Sequence, residues 1–528
     1  MNFLIQRIGF TDFDMELFHL CKLFYDDAEV NIQNGEQPDQ AHPFDIAVRL
    51  ELNIREIAGE AGVHVTLTQK DEEQAWTGEY SRPLASIAGD DRKKVLKRTI
   101  GAGLLKALEH ATGLEQPWGT LTGVRPTKLM HNMLLKHDGE TARRMLREVY
   151  FVSGEKADLL TDVAIRQLKV IPDLHRINER EVSVYIGIPF CPTKCAYCTF
   201  PAYDIRGNNG SVDAFLEGLH FEIRETGRWL KEAGLGITTI YWGGGTPTSI
   251  EAEQIDALFV TLHESFPGMD NVRELTVEAG RPDTITPEKL QVLKKWNVDR
   301  ISINPQSFTQ STLDTIGRHH TVAETVDKFI LSREMGMNNI NMDLIIGLPN
   351  EGMAEFGHTL NQVERLLPES LTVHTLSFKR ASKMTKDREK YDVAERDEIR
   401  DMMEAAIRWT KRHNYVPYYL YRQKNILGNL ENVGYSLEGK ESLYNILMME
   451  ERQTVVGLGC GAVSKVVFPK TDAAVGDGQH VQERIERFPN PKEPFHYNQA
   501  YKEYTSKKLA LLQTAYNDKT TVETVSKL

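Results

Sequence analysis

Three cysteines that lie within eight residues of one another carry the clearest chemical signal in this sequence. They are Cys191, Cys195 and Cys198, and only Cys21 and Cys460 lie elsewhere in the chain. Three thiolates at this spacing can bind three irons of a cubane cluster and leave the fourth iron without a protein ligand. An open iron can chelate a small molecule through an amino and a carboxylate group, and S-adenosylmethionine (SAM) offers both.

The chemistry expected of such a pair is radical formation. Electron transfer from the cluster into the sulfonium of SAM breaks a carbon–sulfur bond and gives a 5′-deoxyadenosyl radical, while the protein supplies orientation and electrostatics. The spacing therefore predicts a [4Fe–4S] cluster on these three cysteines that cleaves SAM.

A zinc site, inert buried thiols and a disulfide are less favoured roles for the three cysteines. A structural zinc site needs four ligands, and the nearest downstream histidine, His220, falls inside a predicted helix. Three inert buried cysteines on one loop would be a coincidence. Disulfide pairing is unusual in a cytosolic chain, and a secreted disulfide framework would spread more cysteines along the sequence.

The composition is that of an ordinary globular protein. Its 528 residues predict two or three domains, and no apolar run approaches the roughly 18–20 residues of a membrane span. The N-terminus lacks a signal-peptide pattern, so we expect a cytoplasmic protein. The net charge of −12 excludes an overall basic footprint for nucleic acid.

The cysteines follow the first strand of a repeating strand–helix alternation, which predicts how they are positioned. Short connections between six such units indicate a parallel sheet covered by helices, in an incomplete (β/α)6 barrel. Function in such barrels gathers on the loops after the carboxyl ends of the strands. The predicted strands are Ser183–Ile188, Thr238–Trp242, Arg273–Glu278, Arg300–Asn304, Asn339–Ile346 and Leu371–Phe378. The predicted helices between them include Val212–Ala233, Thr286–Asn297 and Thr321–Met335.

Two further regions flank the barrel. Residues 1–175 predict an α/β accessory domain, residues 176–390 the barrel core, and residues 391–528 a small C-terminal extension that closes over the active site. Predicted elements of the first region are strands Asn2–Gly9, Ile46–Asn53 and Gly62–Gln69 and helices Asp12–Tyr25, Arg92–Thr112 and Thr141–Val152. Those of the last are a helix at Asp392–Asn414, a strand at Tyr418–Arg422, an apolar glycine-rich segment at Val455–Val467 and a helix around Tyr497–Tyr516.

Motifs at consecutive strand ends resemble those of the radical SAM superfamily, and more narrowly of oxygen-independent coproporphyrinogen III oxidase and its heme-chaperone relatives. The matching segments are Tyr185–Cys198, Gly243-Gly244-Gly245-Thr246-Pro247, Thr276-Val277-Glu278, Asn304–Phe308 with Arg318, and Asn341–Pro349. Within that family, Trp118–Pro126 and Tyr421–Asn432 resemble signatures of the HemZ branch of coproporphyrinogen dehydrogenases. The resemblance covers roughly residues 182–470 and implies a partial radical SAM barrel, with the [4Fe–4S] cluster and SAM as cofactors.

The resemblance also implies contacts with SAM. Gly244, Gly245 and Thr246 would bring backbone close to its methionyl amino group, because glycine has no Cβ in the way. Glu278 suits a cationic amino group, and Arg318 suits a carboxylate with its fork of donors. Read without the family, the glycine segment is only a tight turn, and strand-end polar residues also serve as helix caps or structural hydrogen bonders.

The remaining contacts concern the nucleoside. Gln306 and Asp343 suit the two ribose hydroxyls, and Tyr197 and Ser377 match positions that meet the adenine. Tyr185 is expected to support the cofactor near the cluster, and Val463 lies where the oxidase is thought to bind a second SAM. Cys460 is interpreted as a buried small hydrophobe. His319 and His320 are expected to have a structural, hydrogen-bonded role.

The reaction implied by the resemblance is oxidative decarboxylation of two propionates of coproporphyrinogen III to vinyls, giving protoporphyrinogen IX. Candidate cations for this tetra-anionic tetrapyrrole are Arg125, Lys379, Arg380 and Arg422, and a reduced flavodoxin or ferredoxin-type protein is the implied electron donor.

Two alternatives to this reaction stay open. The oxidase carries another cysteine two residues after its third cluster ligand, where this chain has Phe200, and the heme-chaperone branch also lacks it. Residues 1–175 also differ from the short N-terminal arm of the oxidase. The alternatives are a heme-binding chaperone and a radical enzyme acting on another tetrapyrrole.

Overall fold

The chain divides into two units, Met1–Ala164 and Ile165–Leu528, in a computed structural model. The structure describes residues 1–25, 28–35, 44–55, 59–70, 73–84, 92–177, 180–207, 209–468 and 484–525. None of the helices in these ranges combines the length and apolar character that a bilayer span requires. The predicted division into residues 1–175, 176–390 and 391–528 stays a prediction.

The N-terminal unit is built on a five-stranded sheet in the order β2-β1-β3-β4-β5. Its strands are β1 (Asn2–Ile8), β2 (Glu29–Asn34), β3 (Ile46–Arg55), β4 (Glu60–Gln69) and β5 (Ala75–Pro83). Its helices are α1 (Asp14–Phe24), α2 (Arg92–Thr112), α3 (Pro126–Leu134), α4 (Gly139–Tyr150) and the start of α5 (Gly154–Val170). The strand β1 pairs in parallel with β2 and β3, and β3, β4 and β5 pair antiparallel.

Helix α2 packs against this sheet at two glycines. A Cβ added to Gly78 on β5 would lie 2.3 Å from the carbonyl oxygen of Gly103 on α2, and one added to Gly103 would lie 2.4 Å from Val63 on β4. Larger residues there would push the helix off the sheet, so the glycines permit the close approach that buries the apolar side of β4.

The C-terminal unit contains an eleven-stranded sheet in the order β14-β15-β13-β12-β11-β10-β9-β6-β16-β17-β18. Its strands, with a separate two-stranded pair β7–β8, are β6 (Glu181–Ile188), β7 (Phe190–Cys191), β8 (Tyr203–Asp204), β9 (Gly236–Gly244), β10 (Glu274–Glu278), β11 (Arg300–Ser302), β12 (Ile340–Ile346), β13 (Ser370–Thr375), β14 (Val416–Tyr421), β15 (Asn432–Ser436), β16 (Val455–Gly459), β17 (Val463–Val467) and β18 (Ile485–Pro489). Its helices after α5 are α6 (Val212–Glu232), α7 (Ala252–Ser265), α8 (Pro287–Lys295), α9 (Gln310–Thr315), α10 (Val322–Glu334), α11 (Met353–Leu366), α12 (Lys383–Lys386), α13 (Arg396–Arg412), α14 (Leu443–Glu450) and α15 (Pro494–Val525).

The predicted incomplete barrel is confirmed. Strands β6, β9, β10, β11, β12 and β13 pair in parallel in that order, and the sheet stays open. Beyond β13 the pair β15–β14 continues the sheet antiparallel, and beyond β6 the sheet continues through β16, β17 and β18. The C-terminal segments therefore extend both edges of the barrel sheet.

The helix starts follow from local capping. The hydroxyl of Ser211 accepts a hydrogen bond from the backbone N–H of Ala214 at 3.2 Å, and Thr286 and Thr321 cap α8 and α10 in the same way. A side-chain oxygen at the N-cap satisfies backbone donors that the first turn leaves open. These caps place each helix directly after its loop.

The floor of the barrel, where the strands begin, is closed by Glu274 and helix α14. The Glu274 carboxylate accepts hydrogen bonds from Ser442 Oγ at 3.0 Å and from the backbone N–H groups of Leu443 and Tyr444 at 2.7 and 3.1 Å. This anchor at the helix N-terminus directs Tyr444 into the barrel, where the side chain is buried.

Candidate functional site

The cysteine loop follows β6 and is held at its centre by backbone hydrogen bonds. The N–H of Ala196 donates to Ile316 O at 2.9 Å, and the carbonyl of Ala196 accepts from the N–H of Met384 at 3.0 Å. Cys191 is buried, and Cys195 and Cys198 are half-buried. The loop is therefore fixed between the turn after α9 and the start of α12.

Arg281, which the sequence analysis did not single out, also holds this loop. Its guanidinium donates to the carbonyl and the hydroxyl of Thr193 at 3.2 and 3.0 Å and forms a two-pronged ion pair with Asp283. The hydroxyl of Thr193 donates in turn to Gly317 O at 3.0 Å. A buried cation thus lies beside the cluster cysteines, where it complements thiolate charge.

The three thiols lie on one loop, and within the described ranges no group of three His, Cys, Asp or Glu side chains converges on one metal position. Burial raises the pKa of Cys191 to about 11, and cluster binding must therefore displace a proton there.

The glycine loop after β9 lies directly against the start of the cysteine loop. The N–H groups of Gly245 and Thr246 donate to Ile188 O and Phe190 O at 2.7 and 2.8 Å. A Cβ on Gly245 would lie 2.5 Å from Phe190 O, and Gly244 has φ +108°, a region that side chains rarely adopt. Thr246 Oγ1 lies 3.3 Å from Cys191 Sγ. This arrangement brings Gly244, Gly245 and Thr246 beside Cys191, while their contact with SAM stays a prediction.

Glu278, at the end of β10, is a half-buried carboxylate next to this glycine loop. It accepts a hydrogen bond from Tyr241 Oη at 2.5 Å, and its Oε2 would lie 3.2 Å from a Cβ on Gly243. Burial, with a further contribution from the charge of Asp343, raises the pKa of Glu278 to about 7. No cation opposes this carboxylate within the part of the chain that the structure describes. The position suits a cationic ligand group.

Asp343 and Gln306 lie together on neighbouring strands. The N–H of Gln306 donates to Asp343 O at 2.9 Å, and its Oε1 is buried without a hydrogen-bond partner. Burial acts to raise the pKa of Asp343, but His374, whose Nε2 lies 3.5 Å away, and Asn341 outweigh it and hold the pKa below its ordinary value. Gln306 has φ 68°, an unusual conformation for a side chain of this size and a sign of functional constraint. An unpaired amide oxygen beside an ionised carboxylate suits hydroxyl donors.

The buried Arg318 and the half-buried Tyr197 form a second group. Arg318 Nη2 donates to Gly280 O and Asn304 O at 2.8 and 2.7 Å, and Nη1 donates to Tyr197 Oη at 3.3 Å. Its Nε is buried without a partner. Arg318 thus joins the ends of β10 and β11 to the cysteine loop while one donor stays open for an anionic group.

A cluster of three nearly parallel tyrosine rings, called the tyrosine column below, was missed by the sequence reasoning and lies inside the barrel near Glu278. The ring centroids of Tyr241 and Tyr444 are 4.3 Å apart, and that of Tyr185 lies 6.2 Å from each of them. The hydroxyl of Tyr444 is buried without a partner. Alternation along β6 and β9 predicts inward side chains at Tyr185 and Tyr241, but no local pattern connects them to Tyr444.

Three other residues of interest vary in how closely they approach this centre. Val463 begins β17 and lies against Gly457 of β16. Gly457 in turn pairs with Tyr185 on β6. Ser377 donates to Lys424 O at 2.7 Å and has no described contact with the other predicted residues. His320 is buried with neither ring nitrogen bonded, so its predicted hydrogen-bonded role is wrong. Burial, with the charges of Arg318 and Arg281, lowers its pKa to about 3.

The candidate substrate cations occupy different settings. Lys379 is half-buried, with Nζ 5.7 Å from the ring centroid of Phe200, and Arg380 is exposed beside it. Arg422 is buried and donates to Asn429 Oδ1, so it is not a surface charge. Arg125 belongs to the N-terminal unit, where it precedes α3.

Comparison with known proteins gives a consistent picture. The profile of the radical SAM superfamily matches residues 185–363. The chain is 51% identical over 523 residues to the oxygen-independent coproporphyrinogen-III oxidase-like protein HemZ of Bacillus subtilis, with 99% of both chains covered. It is 36% identical over 194 residues to the heme chaperone HemW of Bacillus subtilis, which covers 37% of this chain and 50% of that relative. Among solved structures, coproporphyrinogen III oxidase (HemN) from Escherichia coli, a radical SAM enzyme, is 21% identical with a TM-score of 0.48, covering 65% of this chain and 73% of that one.

Proposed function

The chain belongs to the oxygen-independent coproporphyrinogen-III oxidase-like family of the radical SAM superfamily, and from this premise we propose that it oxidatively decarboxylates coproporphyrinogen III. Two propionates would become vinyls, giving protoporphyrinogen IX for heme biosynthesis. The family's cofactors are a [4Fe–4S] cluster and SAM. In this proposal, Cys191, Cys195 and Cys198 hold the cluster.

The observation that carries the proposal is the uncompensated carboxylate of Glu278 beside the cysteine loop. A buried carboxylate with no opposing cation is costly unless a ligand supplies the charge. SAM carries a sulfonium and an amino group and therefore supplies it. Gly243, whose added Cβ would lie 3.2 Å from Glu278 Oε2, belongs to the same loop as Thr246, which contacts Cys191.

The chain's own residues would then bind and orient the reactants. When bound, the cluster and SAM supply a radical that removes hydrogen from a propionate side chain. Gln306 and Asp343 would accept hydrogen bonds from ribose hydroxyls, and the open donor of Arg318 would meet a carboxylate. The tyrosine column below Glu278 excludes water from this side of the site, which strengthens each of these electrostatic contacts.

The substrate would lie on the outer side of this centre, where the positive charges of Lys194 and Lys379 both act on Cys198. Burial lowers the pKa of Lys379, with the charge of Cys198 acting against it. A half-buried ammonium is less well hydrated than an exposed one and gains more from a propionate partner.

The test is anaerobic incubation of the reconstituted protein with dithionite, SAM and coproporphyrinogen III. We expect 5′-deoxyadenosine and vinyl product, and neither in a Cys191→Ala control. No 5′-deoxyadenosine above that control would overturn the enzyme proposal. 5′-Deoxyadenosine without vinyl product would favour another tetrapyrrole substrate.

A second candidate function is a heme chaperone, favoured by Phe200, whose side chain is 60% exposed where the oxidase carries a cysteine. An exposed aromatic ring is a stacking surface for a flat macrocycle. Stoichiometric heme uptake without turnover would support this function over decarboxylation, and loss of that uptake in Phe200→Ser would assign it to the ring.

Glu278 predicts a pH dependence of SAM binding. Its carboxyl holds a proton below about pH 7 in the ligand-free protein, and a cationic ligand must expel that proton. The apparent affinity therefore falls as the pH falls. We compare the affinity for SAM of the unaltered protein with that of Glu278→Gln. The ratio of the first affinity to the second is expected to drop about tenfold between pH 8 and pH 6.

Dividing one affinity by the other cancels the effect of the ligand's own titration. Both affinities are measured by equilibrium binding of SAM to the reconstituted protein. The matched control is Glu351→Gln, since Glu351 is a buried glutamate whose carboxylate already accepts a hydrogen bond from Ser307 Oγ. An equal pH dependence in the Glu278→Gln protein and the unaltered protein would contradict the assignment.

A further inference from the structure

The segment of residues 421–432, which the sequence analysis singled out, wraps around the end of β13, and we call it the clamp. Each of the four residues 375–378 is hydrogen-bonded to it. These bonds join Thr375 N to Asn432 Oδ1 at 2.9 Å, Leu427 N to Leu376 O at 3.0 Å, Ser377 Oγ to Lys424 O at 2.7 Å and Phe378 N to Asn425 O at 3.1 Å. The end of β13 is therefore fixed residue by residue.

The clamp has a defined shape of its own. Asn432 Nδ2 donates to Tyr421 O at 3.3 Å, so one side chain joins the two ends of the clamp. Between these ends, the buried Arg422 donates to the buried Asn429 Oδ1. Asn425 and Asn429 have φ values of 56° and 53°, in the left-handed region that asparagine adopts more readily than most residues. A loop closed at its ends and across its middle holds the strand end in one place.

A chain of three side chains leads from the clamp to Asp343. Tyr421 Oη lies 3.1 Å from His374 Nδ1, and His374 Nε2 lies 3.5 Å from Asp343 Oδ2. An ionised carboxylate only accepts hydrogen bonds, so we assign the donor role toward Asp343 to His374 Nε2. The phenol of Tyr421 then faces the other ring nitrogen and fixes the rotation of the imidazole.

We propose that Tyr421 is a positioning residue for the ribose of SAM and acts through His374 on Asp343. The inference rests on the proposed function, in which Asp343 and Gln306 accept hydrogen bonds from the ribose hydroxyls. Tyr421 orients the imidazole of His374, and the imidazole orients the carboxylate of Asp343. A carboxylate that is already oriented loses less conformational freedom when the hydroxyls bind.

The exposure of this chain agrees with a role at the ligand rather than in the core. The side chains of His374 and Asp343 are 24% and 22% exposed, so they border an open part of the site. The tyrosine at the opposite end of β13 differs. Tyr415 is buried and donates to Pro368 O, two residues before the strand begins. Tyr415 therefore stabilises the fold without facing a ligand.

The test measures displacement of labelled SAM from the reconstituted full chain by adenosine and by 2′,3′-dideoxyadenosine, which lacks both ribose hydroxyls. We expect Tyr421→Phe to raise the dissociation constant of adenosine about threefold to tenfold, the effect of one lost hydrogen bond. The dissociation constant of 2′,3′-dideoxyadenosine should not change, because that ligand has no hydroxyl for Asp343. Phenylalanine keeps the ring, which lies parallel to that of Tyr419 at 6.3 Å.

A second variant tests whether Tyr421 acts through His374. His374→Phe removes the contact with Asp343 and should show at least the same selective loss of adenosine affinity. Adding Tyr421→Phe to His374→Phe should cause no further loss, since two residues that act in series are not additive.

The matched control is Tyr415→Phe, which removes the same atom from a buried tyrosine at the other end of β13. We expect this variant to bind adenosine and 2′,3′-dideoxyadenosine with the affinities of the unaltered protein.

Three results would overturn the inference. The first is unchanged adenosine affinity in Tyr421→Phe. The second is equal weakening of both nucleosides, which would make Tyr421 merely structural, and the third is a further loss when Tyr421→Phe is added to His374→Phe. Equal affinity of the unaltered protein for the two nucleosides would instead overturn the ribose contacts of the proposed function, and the inference with them.

Discussion

Replacement of Cys198 with alanine is expected to abolish SAM cleavage, to the level of protein without iron. The reason is that three thiolates are needed to hold the cluster, and two leave a second iron without a protein ligand. Cluster binding is coupled to the local fold, so the loss of one ligand weakens the whole site rather than one corner. Iron and sulfide content, together with 5′-deoxyadenosine formation under dithionite, measure the effect.

The chain supplies a matched control for this loss in Cys21. This thiol is fully buried in the N-terminal unit, and burial raises its pKa to about 12, so it is an inert apolar side chain. Cys21→Ala should lower the free energy of unfolding modestly and keep full iron content. Normal iron content and turnover in Cys198→Ala, or equal iron loss in both variants, would contradict the assignment of the cluster.

The barrel strands were predictable because each one carries its own signal. Runs such as Val182–Ile188 and Ile340–Ile346 are mostly apolar and mostly buried, as parallel strands inside a protein are, and each ends at a polar or glycine motif. Since parallel strands end at one edge, the motifs on β9, β10, β11 and β12 were expected to meet. The contacts of Gly243 with Glu278 and of Gln306 with Asp343 have this origin.

The elements without such a signal were missed. Strand β2 is a short edge strand whose two apolar residues, Val30 and Ile32, are only partly buried. Strand β5 has no aliphatic residue on its more buried side, which consists of Trp76, Gly78, Tyr80 and Arg82. Helices α3 and α5 were also not predicted. The hydrophobic pattern of the local sequence cannot reveal a strand that forms only because it pairs with a neighbouring strand.

Long-range polar contacts could not be predicted either, because the sequence around one partner contains no sign of the other. Tyr444 reaches Tyr241 only because Glu274 anchors α14 at the barrel floor. Glu222 lies on the amphipathic helix α6, next to the predicted apolar face, and its partner Lys508 is 286 residues further along the chain. No local pattern gave a reason to expect either residue in a core.

The contact between Glu222 and Lys508 is a fully buried ion pair that ties α15 to the barrel. Their side chains are 1% and 0% exposed. Glu222 also accepts hydrogen bonds from Tyr497 Oη and Asn490 Nδ2, both at 2.7 Å, and burial lowers the pKa of Lys508. The pair is therefore well satisfied, which a buried ion pair requires to be tolerated.

This pair also holds the end of β16. The N–H of Gly459 donates to Glu222 at 2.6 Å, and Lys508 donates to Gly457 O at 2.8 Å. A Cβ on Gly459 would lie 2.4 Å from Gly187 O, at the end of the strand that leads into the cysteine loop. The ion pair thus fixes the strand that lies beside the end of β6.

Lys508→Met should lower the free energy of unfolding of the C-terminal unit by about 3–5 kcal/mol, because it leaves the Glu222 carboxylate buried without its cation. The double variant Glu222→Gln with Lys508→Met should lose less free energy of unfolding than Lys508→Met alone, since neither buried charge then remains. Urea denaturation followed by a probe in the C-terminal unit measures both, and Lys507→Met is the matched control because Lys507 is exposed and pairs with Glu503. Equal losses in Lys508→Met and Lys507→Met would show that the pair does not hold α15 in place.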